Sequence, residues 1–403
     1  VSTAVLPSPV AIAEPVAPQR AATRGLVVES IDAWRGFAAL WVVLVHAVVP
    51  TMLTRFPEIA HSLLYRFPLY GALGVPIFFV ISGFCITNAA VVLVGAEGSA
   101  RRFVRARFRR LYPPYAVMTV IAFLAAIAAG FAVRAHVLTS SALALENPLK
   151  QGWLYYFSAV TMTQIPLNQT PILAPFWSLS YEASFYAIVL AGLFAASRWR
   201  RVDLIPLLHG VTALSLVLFI VNPAWAFFPL DRWTQFGIGV LLYDLLRHRG
   251  ERRPRIVALV FTIGILAGCA LHPQLGWGGI DKPAFSIQLL TCLATGLAIW
   301  LTAGMDKQLL RILPVRWLAK VGTFSYSLYL SHFLVLGIVL QAFKRLHYTE
   351  HTFFIVFLAE VALAVAAGYG FYRVCEVHFT SNKAKRIHEV ATLAPQHESV
   401  ALA

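Results

Sequence analysis

Residues 31–49 read IDAWRGFAALWVVLVHAVV, an apolar run that carries Arg35 near one end and His46 near the other. Such a run is long enough to cross a bilayer as a helix. Eleven residues at 100° each come to about three turns, so Arg35 and His46 lie on one helix face, ~16 Å apart along the axis. Ionisable groups inside a span are expensive to bury and mark function. This helix is read as the carrier of the active base, with later spans gathered around its charged stripe.

The rest of the chain supports a membrane setting. Of 403 residues, 59% are hydrophobic and only 13% charged, and the mean hydropathy is +0.72. That is not the composition of a soluble globular protein. The expected class is all-α, a polytopic membrane bundle of about ten helices, with spans at 31–49, 72–94, 112–133, 176–197, 204–221, 229–246, 255–272, 285–304, 323–343 and 353–374. Trp153 to Met162 is too short to cross and is placed at the interface, inside a long connection from Arg134 to Pro175. Long connections of this kind often carry function. Residues 1–28 and 377–403 are expected to be tails flanking a membrane domain at 29–376. Cys85, Cys269, Cys292 and Cys375 lie far apart without metal spacing, so neither a disulfide frame nor a metal site is expected.

A net charge of +15 would suggest nucleic acid for a soluble protein. Here arginine-rich loops explain it, and no nucleic-acid partner is expected. With ten spans, 25 of the 33 lysines and arginines fall on one side and 8 on the other. The positive-inside rule then puts both termini in the cytoplasm of a bacterial inner membrane. Arg35 comes near the cytoplasmic face and His46 near the outer one. Glu182 falls in the outer half of its span, at a depth comparable with His46.

Two polar layers follow. His46 with Glu182 reads as a general-base pair, or as a buried histidine bonded to a helix carbonyl beside a structural glutamate. The basic stretch RRFVRARFRRLYPPY, from Arg101, reads as a site for phosphates or as topology and lipid-headgroup charge. Arg109 and Arg110, next to the membrane, are the arginines expected to do more. In GVPIFFVISGF (Gly74 to Phe84), Ser82 can bond across helices while glycine and proline allow close approach. SYSLYLSH places Tyr326, Tyr329 and His332 on roughly one face, and Glu360 and Glu376 are further carboxylates at or in the last span. A proton-coupled carrier is the rival class, since buried His46, Glu182, His332 and Glu360 could relay protons. No internal repeat speaks for it.

Taken in order, these segments resemble the bacterial acyltransferase-3 family of integral membrane acyltransferases, from about Ser30 to Phe379. Arg35, ten residues and His46 resemble its opening motif. GVPIFFVISGF, RRLYPPY, FWSLSYEASFY, KVGTFSYSLYLSH and YRVCE are similar to later ones. Pro76 stands where an aspartate is common, and His378 where proline often follows the last glutamate. The resemblance implies transfer of an acyl group, often acetyl, from cytosolic acyl-CoA as donor substrate, with no bound cofactor. The acceptor would be a hydroxyl of a glycan, a lipid-linked sugar or a secondary metabolite such as a macrolide. It implies His46 and Glu182 as catalytic residues and Arg35, Arg109 and Arg110 as holders of CoA phosphates. Ser82, Tyr326, Tyr329, His332 and Glu376 are the candidate supporting residues.

Overall fold

The computed structural model describes residues 25–54, 67–136, 148–199, 201–273, 284–344 and 350–379. Nearly all of the two expected tails lies outside the described residues.

Apolar runs of this length satisfy their backbone groups internally only as helices, and the described residues form helices without a strand. The long ones are α1 (Ile31–Thr54), α2 (Gly74–Val91), α3 (Ser99–Arg134), α5 (Trp177–Arg198), α6 (Leu204–Val221), α7 (Leu230–Arg247), α8 (Arg252–Leu271), α9 (Phe285–Thr302), α11 (Ser325–Lys344) and α12 (Glu350–Val374). Short helices α4 (Trp153–Thr161) and α10 (Leu313–Thr323) complete the set named here. The ten long helices coincide with the ten expected spans. Nine of them are long and apolar enough to cross a membrane; α7 is the exception.

Asp231, Arg232, Asp244 and Arg247 lower the hydropathy of α7, yet it is the most enclosed of the long helices, with Trp233, Phe236, Val240 and Tyr243 fully buried. α7 packs against α2, α6 and α9, while α3 turns Val117, Val120, Leu124 and Phe131 outward. Charged groups are carried by the helix that the others cover, and apolar ones by the helix that faces lipid. The α2–α7 crossing is held at backbone distance by two glycines. A Cβ on Gly83 would lie 2.1 Å from the Phe236 carbonyl oxygen, and one on Gly239 would lie 2.1 Å from that of Val80. Small residues at such crossings let helix backbones meet.

The basic stretch before the third span is helix rather than loop. RRFVRARFRR contains neither Gly nor Pro, and it continues through Pro113 and Pro114 as the 36-residue α3. Those prolines have no N–H to give the carbonyls of Arg109 and Arg110. Side chains tie the long connection that follows α3 to the middle of that helix. Tyr115 donates to the Ala159 carbonyl of α4 at 2.6 Å, Gln164 donates to the Tyr115 hydroxyl at 2.8 Å, and Ser180 of α5 donates to Gln164 Oε1 at 2.9 Å. The backbone from Ile165 to Pro175 is thereby laid over the bundle near His46.

Candidate active site

Two cavities open inside the bundle. The first is a narrow cleft of about 80 Å³, and it gathers Arg35, Arg107 and Arg110 around Glu182. Arg35 reaches from the first turn of α1, its guanidinium 3.1 Å from Asp32 Oδ1 and 3.5 Å from Cys85 Sγ on α2. Arg107 and Arg110 are three apart on α3 and so share a face. Arg107 also lies over the Phe103 ring. Glu182 accepts from Tyr186 at 2.5 Å and from Ser82 at 3.5 Å. Three guanidinium groups and one carboxylate leave the cleft positive, which suits an anion such as a phosphate.

The second cavity, about 740 Å³, holds His46. The tautomer of His46 follows from its neighbours. Its Nδ1 lies 2.8 Å from the Val42 carbonyl, which can only accept, so Nδ1 carries the proton and Nε2 the lone pair. His332 is set the same way, with Nδ1 2.8 Å from the Tyr329 carbonyl and 3.1 Å from that of Leu328. His332 Nε2 is then an acceptor, 3.3 Å from His46 Nδ1. A proton taken up at His46 Nε2 would make Nδ1–H a stronger donor to both the carbonyl and the second imidazole. The pair is built to stabilise a transient imidazolium.

The cavities share a wall made of Val75 and Tyr329. The Tyr329 hydroxyl donates to the Pro175 carbonyl at 2.8 Å and lies 2.7 Å from Ser178 Oγ, while Phe78 meets its ring edge-on. One tyrosine therefore faces the arginines on one side and the histidines on the other.

The structure gathers most of the expected residues, in a different grouping. The expected contact between His46 and Glu182 is not made. The carboxylate sits among the arginines, and His332 occupies the place beside His46 that was expected of it. Arg109 is exposed and does not line the cleft; Arg107 does. That exchange was available from helix phase, because buried Phe103, Leu111 and Pro114 fix the inward face of α3. Ser82, Tyr326 and Tyr329 line the cleft, and the Tyr326 hydroxyl donates to the Leu111 carbonyl at 2.7 Å. Glu376 lies behind it as a helix cap, accepting from Ser327 N at 3.1 Å and Ser327 Oγ at 2.6 Å in the first turn of α11. Glu360 is buried away from both cavities, with Oε1 unpaired among the described residues. Sequence reading also passed over Tyr186, and over Arg232 and Trp177 in the second cavity.

Comparisons with known proteins show the family. The family described as "Acyltransferase domain" matches residues 28–373. The chain is 28% identical over 271 residues to BcsY of Komagataeibacter xylinus, a protein named as a membrane-bound transacylase, covering 65% of each. It is 28% identical over 284 residues to the exopolysaccharide production protein ExoZ of Rhizobium meliloti (strain 1021), covering 68% of this chain and 78% of ExoZ. It is 25% identical over 302 residues to the peptidoglycan O-acetyltransferase OatA of Listeria monocytogenes, covering 69% of this chain and 47% of OatA. The match thus spans just under two thirds of BcsY and about half of OatA. No solved structure matches the chain.

Proposed function

The chain belongs to the acyltransferase-3 family, and on that premise we propose that it moves an acyl group, acetyl foremost, from cytosolic acyl-CoA to a hydroxyl of a cell-surface glycan or lipid-linked sugar. The observation that carries this reading is the shared wall: an arginine cleft and a histidine cavity meet at Val75 and Tyr329. Donor and acceptor come from opposite sides and meet at that wall.

In this reading Arg35, Arg107 and Arg110 hold the donor's phosphates at the cytoplasmic side of a multi-pass inner-membrane protein with both termini in the cytoplasm. Glu182 keeps Tyr186 and Ser82 in place beside the arginines. The acceptor hydroxyl gives its proton to His46 Nε2 as its oxygen attacks the thioester carbonyl. The C–S bond breaks, and the CoA thiolate leaves with the proton returned from His46. His332 steadies the imidazolium in between. ExoZ and OatA, named for exopolysaccharide and peptidoglycan, favour a glycan over a small metabolite.

Two outcomes test the donor side, with thiol release from acetyl-CoA read in isolated membranes. Arg107→Ala is expected to raise the half-saturating acetyl-CoA concentration about tenfold or more, the loss of one charge-assisted contact. Arg109→Ala, on the exposed face, is expected to change it less than about twofold. Equal effects of the two would mean that bulk positive charge, not the cleft, binds the donor. Glu182→Gln is expected to raise the donor requirement as well, with no change in the acceptor requirement. A change confined to the acceptor would return Glu182 to the side of His46.

A further inference from the structure

The histidine cavity contains a second polar centre that the transfer chemistry does not use. Arg232, on the first turn of α7, enters it beside Gln288 of α9 and Trp177 of α5. Its guanidinium is clamped between two rings, 5.8 Å from the centre of Trp177 and 5.1 Å from that of Phe285. Nη1 donates to Gln288 Oε1 at 2.6 Å, and Gln235 donates to the same oxygen at 3.1 Å. Two rings and an amide thus fix the plane of the guanidinium, and a fixed fork is a recognition element.

The local charge says what it recognises. Asp231 Oδ2 lies 3.9 Å from Arg232 Nε and accepts from Tyr181 at 2.6 Å. The arginine is partly neutralised by its own neighbour, and no second arginine or lysine joins it among the described residues lining this cavity, so a phosphate or carboxylate ligand gains less here than in the cleft of three arginines. Gln288 brings to the cavity wall a carboxamide, a group that both donates and accepts. A guanidinium that only donates, beside a carboxamide that does both, matches groups that donate and accept, which are hydroxyls. Aromatic Trp177, Tyr181, Phe285 and Phe333 supply the apolar remainder of the lining. At about 740 Å³ the cavity falls within the ~300–1,000 Å³ usual for ligand sites.

We propose that Arg232 and Gln288, framed by Trp177, form the acceptor subsite, and that it takes an uncharged saccharide ring by its hydroxyls. This rests on the acyltransferase reading and deepens it. The subsite positions one ring hydroxyl toward His46, and it sets which sugar is esterified.

The test uses the full chain in membranes, acetyl-CoA as donor, and envelope polysaccharide of the source bacterium stripped of its esters by mild alkali as the acceptor probe. Arg232→Lys and Gln288→Leu are each expected to raise the half-saturating polysaccharide concentration about tenfold or more, while that of acetyl-CoA keeps its wild-type value. The unmoved donor value also certifies a folded protein. Three results would overturn the proposal. An unchanged polysaccharide requirement, or one that moves together with the donor's, removes the subsite and leaves the acyltransferase reading standing. An effect of Arg232→Gln that Arg232→Lys does not share means that charge, not the fork, matters, and the acceptor is anionic. If the wild type consumes acetyl-CoA yet esterifies no polysaccharide, the saccharide proposal and the glycan acceptor fall together.

Discussion

His46→Ala is expected to lower ester formation at least about 10²-fold, the lower end of what a positioned general base contributes. The argument is geometric. Backbone carbonyls hold the Nδ1 proton of both imidazoles, which leaves His46 Nε2 as the lone-pair nitrogen in a cavity walled by Tyr329. Among the described residues that line that cavity, His46 is the one imidazole and no carboxylate joins it. His46→Gln is therefore expected to be as inactive as the alanine variant, although it retains hydrogen-bonding groups. His332→Ala should cost less than either, because the Val42 carbonyl still holds the tautomer. The measurement is the acetyl-ester content of envelope glycans at matched membrane levels, with donor half-saturation as a check on folding. Full ester content in the His46→Ala strain would take His46 out of the chemistry.

Gly239→Val is expected to prevent the bundle from assembling. Its Cβ would meet the Val80 carbonyl oxygen at 2.1 Å, the Phe84 nitrogen at 2.6 Å and the Gly83 Cα at 2.8 Å. All three are backbone atoms, so no rotamer change relieves the clash and α2 and α7 must separate. Overpacking a core costs ~1–3 kcal/mol where side chains can move; here the cost lies at or beyond the top of that range. Separation would also break the rest of the α2–α7 interface, including Phe79 stacked on Phe236 at 4.3 Å. The check is the yield of monodisperse protein in mild detergent and its thermal midpoint. A Gly239→Val protein as stable as wild type would mean that the crossing is not tight. Gly210→Ala, with no atom within 4 Å of its new methyl, is the tolerated control.

The fold was legible because a membrane span leaves few choices. Long apolar runs declare helices, with 229–246 counted among ten of them, and the alternating lysine and arginine content supports that count although α7 falls short of a span's hydropathy. The extent of α3 was not legible, because loop charge and helix face look alike in RRFVRARFRR until burial of Phe103 fixes the phase. The site was half legible. Arg35 and His46 are bound to one helix face by their spacing, and the structure keeps them there. Across helices the grouping of Arg35 with Arg110 held, whereas Glu182, expected level with His46, sits in the arginine cleft, and Arg232 read as an ordinary outer-loop charge. Depth follows from one helix and its direction. Lateral neighbourhood is decided by which helices pack, and no single helix encodes that.

Helix α7 has a consequence for how the protein is made. A helix leaving the insertion machinery partitions into lipid according to its own apolarity, and α7 is the one of the ten long helices that lacks the hydropathy of a span. The charges of α7 therefore make it a reluctant entrant by itself. Its partners α2 and α6 precede it in the chain and α9 follows, so at the moment of synthesis it docks on a half-built shelter that is closed over it later. Biogenesis and catalysis then draw on the same residues: Arg232, which marks the wide cavity, is also among those that oblige α7 to wait for its neighbours.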